Sequence, residues 1–477
     1  MDLNRTVHIP PVHDDERALL DDIQGNILAP HGRYLANHIL LRFSSPDTGN
    51  ARDFIRSFRD RVTTASAQHT AKTSFQADPD VQGTHYGLGL SASCCRLLGV
   101  PDEWTPTDTA FLAGMNQRRH ANGDEPESTS AWQPHLTSLH AIVIIADSRE
   151  DVLQSATSDV LDMLTPPDRS QAAVESGHWL PYPRAADDPL RVEHFGFAEG
   201  LSNPRFISRP AGALPGVHWD DTTSLDQILV PCGPSSAEAF GSYLVFRKLE
   251  QQVRRFWDLE QQLEAAIAAA GGSAGRAAAM AMGRFRSGTP LAESGNDLGP
   301  ARSNDFDQFK LEIATGTGTR CPMHAHIRRA NPRGELPVVY SPNSGLPTTA
   351  VSRRIPIARR GIPYGHRLDD PCNPDVPLED RPQDGVGMLF MSMHSDIARQ
   401  FEYVQRHWLG GAGTSGKIDP VVVDPISSGR APSQPQKWPV EWARPHDGTV
   451  SFAFNSCVKL LGGEYFFLPP KSFLELI

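Results

Sequence analysis

Four times along this chain an apolar run of strand length gives way to a segment with helical periodicity, and this recurrence limits the fold more than any other feature. The runs are 38–44, 140–147, 242–249 and 385–394, followed by 51–62, 148–164, 250–270 and 396–409. In 51–62, Phe54, Ile55, Phe58 and Val62 share one helical face; in 148–164, Val152, Leu153, Ala156, Val160 and Leu164 do. Gly271-Gly272 stops the third helix. Long irregular insertions separate the units, two in each half. This predicts an α+β fold of two related halves, each with helices packed on one face of a sheet. The stretch 166–241 reads as loop, and Trp438 and Trp442 mark 425–445 as ordered.

At 477 residues the chain can bury a sizeable core without disulfide or metal staples. Lys and Arg total 45 against 56 Asp and Glu, a net charge of −11, which argues against a nucleic acid partner. The 6 cysteines form no CxxC pair, which fits a reducing compartment, and Cys94-Cys95 reads as a buried helix pair. No apolar stretch is long enough to span a membrane. Residues 1–11 show neither a signal pattern nor twin arginines, so the cytoplasm is the expected location.

Three clusters could carry chemistry. In Gly196-Phe-Ala-Glu199-Gly200, flanking glycines let the backbone turn tightly and bring a carboxylate close to a ligand; a solvated turn is the bland alternative. In Cys321-Pro-Met-His324-Ala-His326-Ile-Arg328-Arg329-Ala-Asn-Pro-Arg333, the two histidines cannot share a helix face. Two ligands on one metal, a single haem ligand or two structural histidines are all open there. Arg359-Arg360-Gly361-Ile-Pro363-Tyr364-Gly365 sets a basic pair before a turn, to hold carboxylates, to polarise a bound oxygen species or as plain surface charge.

Taken in order with Asp22-Ile-Gln-Gly-Asn-Ile-Leu28, Gly241-Ser-Tyr-Leu-Val-Phe-Arg-Lys-Leu-Glu-Gln251, Gly283-Arg-Phe-Arg-Ser-Gly-Thr-Pro290, Asn304-Asp-Phe-Asp307 and the 389–405 segment, these strings resemble the dye-decolourising peroxidases. The likeness is to their longer, fungal and actinobacterial type and runs over most of the chain. It implies two ferredoxin-like halves, 1–235 carrying the Glu199 motif and 236–477 carrying haem b. It implies His326 as the axial iron ligand, with Asp396 accepting from its second ring nitrogen; capping of the helix it starts is the other reading of Asp396. Arg359 matches the distal arginine. Met388 and Phe390 fall on one strand face as an apolar distal wall, or as core. Arg328 and Arg333 are the expected contacts to the haem propionates.

The family motif has Asp where this chain has Glu199, which moves the carboxylate by roughly 1.5 Å. His324 and His366 are further departures. The implied activity is hydrogen peroxide-dependent oxidation of small organic donors such as dyes and phenolics through a ferryl intermediate, by a monomer or homodimer. Trp257, Trp408 and Tyr403 are candidate electron relays. The alternative is a haem-binding protein or specialised biosynthetic oxidase, weak as a peroxidase because of Glu199. A non-haem site at His324 and His326 lacks a third local ligand.

Overall fold

We describe a computed structural model of the chain over residues 1–44, 48–77, 83–124, 132–181, 191–209, 221–234, 238–299, 306, 319–333, 355, 357–410, 423–428, 434–444 and 447–477. Its main sheet has ten strands: β1 (Leu35–Leu41), β2 (His85–Leu90), β3 (Ala141–Asp147), β4 (Ala173–His178), β5 (Val230–Cys232), β6 (Ala239–Gln251), β7 (Ala358–Arg359), β8 (Ile362–Tyr364), β9 (Gly387–His394) and β10 (Val458–Leu468). Their order is β5-β6-β10-β2-β3-β1-β4-β8-β9-β7, all pairs antiparallel, and β6 also pairs with β9. The pairing therefore closes on itself. Eight strands form a barrel, and β5 and β7 are short extensions.

Each half of the barrel has the same internal order. Numbered within its own half, β4-β1-β3-β2 and β10-β6-β9-β8 both run fourth, first, third, second. This is the ferredoxin-like arrangement, present twice. The halves join at two narrow seams of one residue pair each, Phe467 with Leu90 and Tyr364 with Gly177. Gly177 is required there: a Cβ would lie 2.4 Å from the Ile362 side chain.

Strand periodicity sorts the side chains. Ala36, Leu40, Ile142 and Ile144 meet Leu244, Phe246, Leu389, Met391 and Phe466 in one buried cluster inside the barrel. The alternate residues Ile39, Leu41, Val143 and Ile145 face outward. Helices α1 (Thr48–Phe58) and α2 (Glu150–Leu161) cover them with Phe54, Ile55, Phe58, Leu153, Ala156 and Val160. Each large apolar side chain so buried contributes roughly 1.5–3 kcal/mol. On the C-terminal half, α3 (Val253–Ala269) buries Phe256, Leu263 and Ile267 with Phe195, Phe197 and Trp438.

The four strand–helix units are present. The fourth helix is wound wider than expected, as π-helix over Ala398–Glu402 and Val404–Leu409. Four barrel strands, β2, β4, β8 and β10, lie where no strand was expected, β8 in the segment read as a turn after Arg359-Arg360. β4 falls inside the stretch read as loop. Cys94 and Cys95 are buried on the helix Ala92–Leu98, and all six cysteines are free. Among the described residues no helix is long and apolar enough to cross a membrane.

Candidate active site

A cavity of about 460 Å³ lies on the outer face of the C-terminal half-barrel. Its floor is made of residues from three strands: alternate residues Arg247, Leu249 and Gln251 of β6 and Met388 and Phe390 of β9, and Val458, Lys459 and Leu460 of β10. The expected apolar wall of Met388 and Phe390 is thus in contact with the cavity. Helix α4 (His326–Ala330) and Val404 and Leu409 of the π-helix face that floor. Glu199, Asn203, Arg284 and Arg359 close a third side.

The turn that presents Glu199 is built around a buried acid. Glu193 accepts the backbone N–H groups of Phe195 and Phe197, each at 2.9 Å, and the side-chain amide of Gln251. Burial pushes the Glu193 carboxyl up to about 7. Gly196 has φ +92°, and a Cβ there would meet the Pro371 carbonyl oxygen at 2.5 Å, so only glycine fits. Burial also pushes Glu199 above the usual carboxylate range, against the pull of Arg359 and Arg191. Among the described residues neither guanidinium closes a direct ion pair on Glu199, which leaves room beside the carboxylate. The Arg359 N–H donates to Asn203 Oδ1 at 3.0 Å, tying β7 to the Glu199 side of the cavity. Arg360 turns away and donates to the carbonyls of Asn26 and Ile27, both at 2.6 Å.

Across the cavity, His326 Nδ1 lies 3.1 Å from Asp424 Oδ2. Asp424 is fully buried and also accepts Ser427 N–H at 2.9 Å, Ser427 Oγ–H at 2.7 Å and Ile426 N–H at 3.1 Å. Burial alone would raise its pKa, but the facing His326 and the Ser427 hydrogen bonds hold it below the usual range. With Nδ1 engaged, His326 has Nε2 free for the cavity it lines.

Three expectations are corrected here. Asp396 does not partner His326; it caps its helix through Arg399 N–H at 2.8 Å and lies 3.6 Å from the Arg399 guanidinium. Asp424, 98 positions from His326, takes the role instead. Arg328 and Arg333 do not line the cavity. Arg328 donates to the Cys321 carbonyl, and Arg333 donates to the Phe306 carbonyl at 2.6 Å while stacking on that ring at 3.7 Å. The cavity-lining arginines that sequence reasoning missed are Arg284, which donates to Ser202 Oγ at 3.0 Å, and Arg247, paired with Asp124. Both lay inside quoted strings that marked the family but gave no role to either residue.

His324 is buried with its ring centroid 4.2 Å from that of Trp438, and burial lowers its pKa to about 3. It does not line the cavity, and His366 is exposed. Trp257 lies between two guanidinium groups, Arg381 at 3.6 Å and Arg286 at 3.9 Å. Of Asn304-Asp-Phe-Asp307, only Phe306 falls within the described residues.

No family model matches the chain. It is 33% identical over 494 residues to the multifunctional dye peroxidase DyP2 of Amycolatopsis, covering 100% of this chain and 99% of that one. The chain belongs to the dye-decolourising peroxidases. It is thus a hydrogen peroxide-dependent oxidoreductase, and members of this family are haem peroxidases. The solved structure of the Amycolatopsis protein superposes with a TM-score of 0.86 at 30% identity and full coverage of both chains. A DyP-type peroxidase from Anabaena gives 0.84 at 28% identity, over 99% of this chain and 98% of that one. The dye-decolorizing peroxidase AauDyP1 of Auricularia auricula-judae is 27% identical over 473 residues, 95% of this chain and 85% of that one.

Proposed function

We propose that this peroxidase binds haem b in the 460 Å³ cavity through His326 and uses hydrogen peroxide to oxidise small organic donors, including dyes and phenolics. The observation that carries this reading is the His326–Asp424 pair set against Glu199 and Arg359 on another side of the same cavity. The residues fit the group. The volume suits a cofactor pocket, the floor is apolar at Met388, Phe390 and Leu249, and an imidazole with Nδ1 held by a carboxylate is an oriented iron ligand. Arg284 and Arg247 supply cations for the haem carboxylates. A bound haem would supply redox-active iron.

The protein's own part is proton and charge management. The Glu199 carboxylate takes the proton from one peroxide oxygen and delivers it to the other, which leaves as water. The Arg359 guanidinium offsets the negative charge that builds as the O–O bond breaks. Asp424 keeps the His326 ring in one tautomer and orientation. Two one-electron transfers from the donor complete peroxide reduction. The division into 1–235 and 236–477 we propose on the repeated strand order and the single-pair seams.

The test is an absorbance spectrum of the haem-supplemented protein before and after equimolar peroxide. A Soret band that changes rapidly on mixing is expected. No Soret band would overturn haem binding, and a band indifferent to peroxide would overturn the role of Glu199 and favour a haem-binding protein.

A further inference from the structure

Glu199 faces positive charge from two separate elements. Arg359, on β7, lines the cavity; Arg191 does not. Arg191 runs beside Glu199 on a short antiparallel ribbon, where Val192 bridges Ala198 and the Arg191 carbonyl accepts the Glu199 N–H at 2.8 Å. Its guanidinium lies over Trp179, with Cζ 3.1 Å from the ring centroid. Tyr34 braces the Trp179 ring edge-on at 4.8 Å. Among the described residues no carboxylate closes an ion pair on Arg191. The ionisable groups around Glu199 are Arg191, Arg359 and Glu193; Arg284 stands next to Arg359, and His31, next to Arg191, is kept neutral by burial.

We propose that Arg191, clamped against Trp179 behind the Glu199 turn, is a positioning residue that supplies Glu199 with a standing positive charge independent of what occupies the cavity. The inference rests on the reading of Glu199 as the proton acceptor. Peroxide entering beside Glu199 engages Arg359, whose charge is then shared with the reactant. Arg191 is outside the cavity and keeps its full effect on the carboxylate throughout. A planar guanidinium suits this place because it stacks on an indole face while keeping its charge; an ammonium group would be drawn to water.

The experiment is the pH profile of the bimolecular reaction with peroxide, in the haem-loaded wild type, Arg191→Gln, Arg191→Lys, Trp179→Leu and Glu199→Gln. It is paired with an infrared pH titration of the Glu199 carboxyl band, assigned by its loss in Glu199→Gln, without peroxide present. Arg191→Gln should move both the acid limb and the band midpoint up by about one pH unit or more. Arg191→Lys should recover part of that shift, and Trp179→Leu should move both the same way by less. An unmoved band and limb in Arg191→Gln, or in Trp179→Leu should Arg191→Gln not fold, would overturn the role of Arg191. An acid limb that survives in Glu199→Gln would instead overturn the underlying reading of Glu199.

Discussion

Two carboxylates, Asp424 buried and Glu199 half-buried, flank one cavity and are treated in opposite ways. Asp424 accepts three N–H or O–H groups from Ile426 and Ser427 and faces His326, so it is held ionised and still. Glu199 accepts no hydrogen bond from a described residue, and burial pushes its carboxyl up despite Arg359 and Arg191. A saturated acid fixes a ring; an unsaturated one is available to a proton. The difference lies in the donors around each group, not in the acid itself.

The largest effect should come from His326→Ala, which removes the group that Asp424 exists to hold. The haem-supplemented variant is expected to lose the histidine-ligated spectrum, read by absorbance; an unchanged spectrum would break the comparison outright. Next, Glu199→Gln should slow the reaction with peroxide by about 10²–10⁴-fold in stopped-flow mixing while leaving the haem spectrum in place. Asp424→Asn should cost about 10–100-fold in haem affinity or turnover, whereas Asp396→Asn should leave both near wild type.

The pH dependence sharpens the same contrast. The carboxylate is the proton-accepting form of Glu199, so the rate should fall as pH drops through a midpoint that burial places above the usual carboxylate range. Asp424 is held low and should remain ionised across that window, so Glu199→Gln should flatten the acid limb. The smallest effect is Asp396→Ala, which loses only a helix cap and should cost about 1 kcal/mol in chemical denaturation, with activity unchanged.

Much of this fold can be read from the sequence because its helices carry clean apolar faces: Phe54, Ile55 and Phe58 are buried as their spacing demands. Two of the strands that could not be read are of another kind. β2 is His-Tyr-Gly-Leu-Gly-Leu and β4 is Ala-Val-Glu-Ser-Gly-His, glycine-bearing segments of weak strand propensity. Tertiary contact selects the glycines: a Cβ on Gly89 would lie 2.8 Å from the Ile142 side chain. At the site, Glu199, His326 and Arg359 sat in recognisable local strings. Asp424 did not, since the pairing that defines it spans 98 positions and periodicity carries no information at that range. The only local sign was the order Asp424-Pro-Ile-Ser427, in which an acid can fold back onto its own backbone.

The strand order also sets a timetable for synthesis. The N-terminal half of the barrel has all four of its strands by residue 178, but the other half waits for β10, which ends at Leu468. That strand is hydrogen-bonded to β6 on one side and to β2 on the other, so it finishes the cavity floor and one seam together. The gap is 468 − 178 = 290 residues, about 15–60 s of ribosomal elongation. For that interval the nascent chain carries a completed half-barrel whose β2 edge has no partner, the β4 edge waiting only until β8 is made at Ile362–Tyr364, while the pocket still lacks Val458 and Leu460. The cavity floor is therefore complete only once β10 has been made, and any factor that shields the nascent chain must act on the N-terminal sheet edges first.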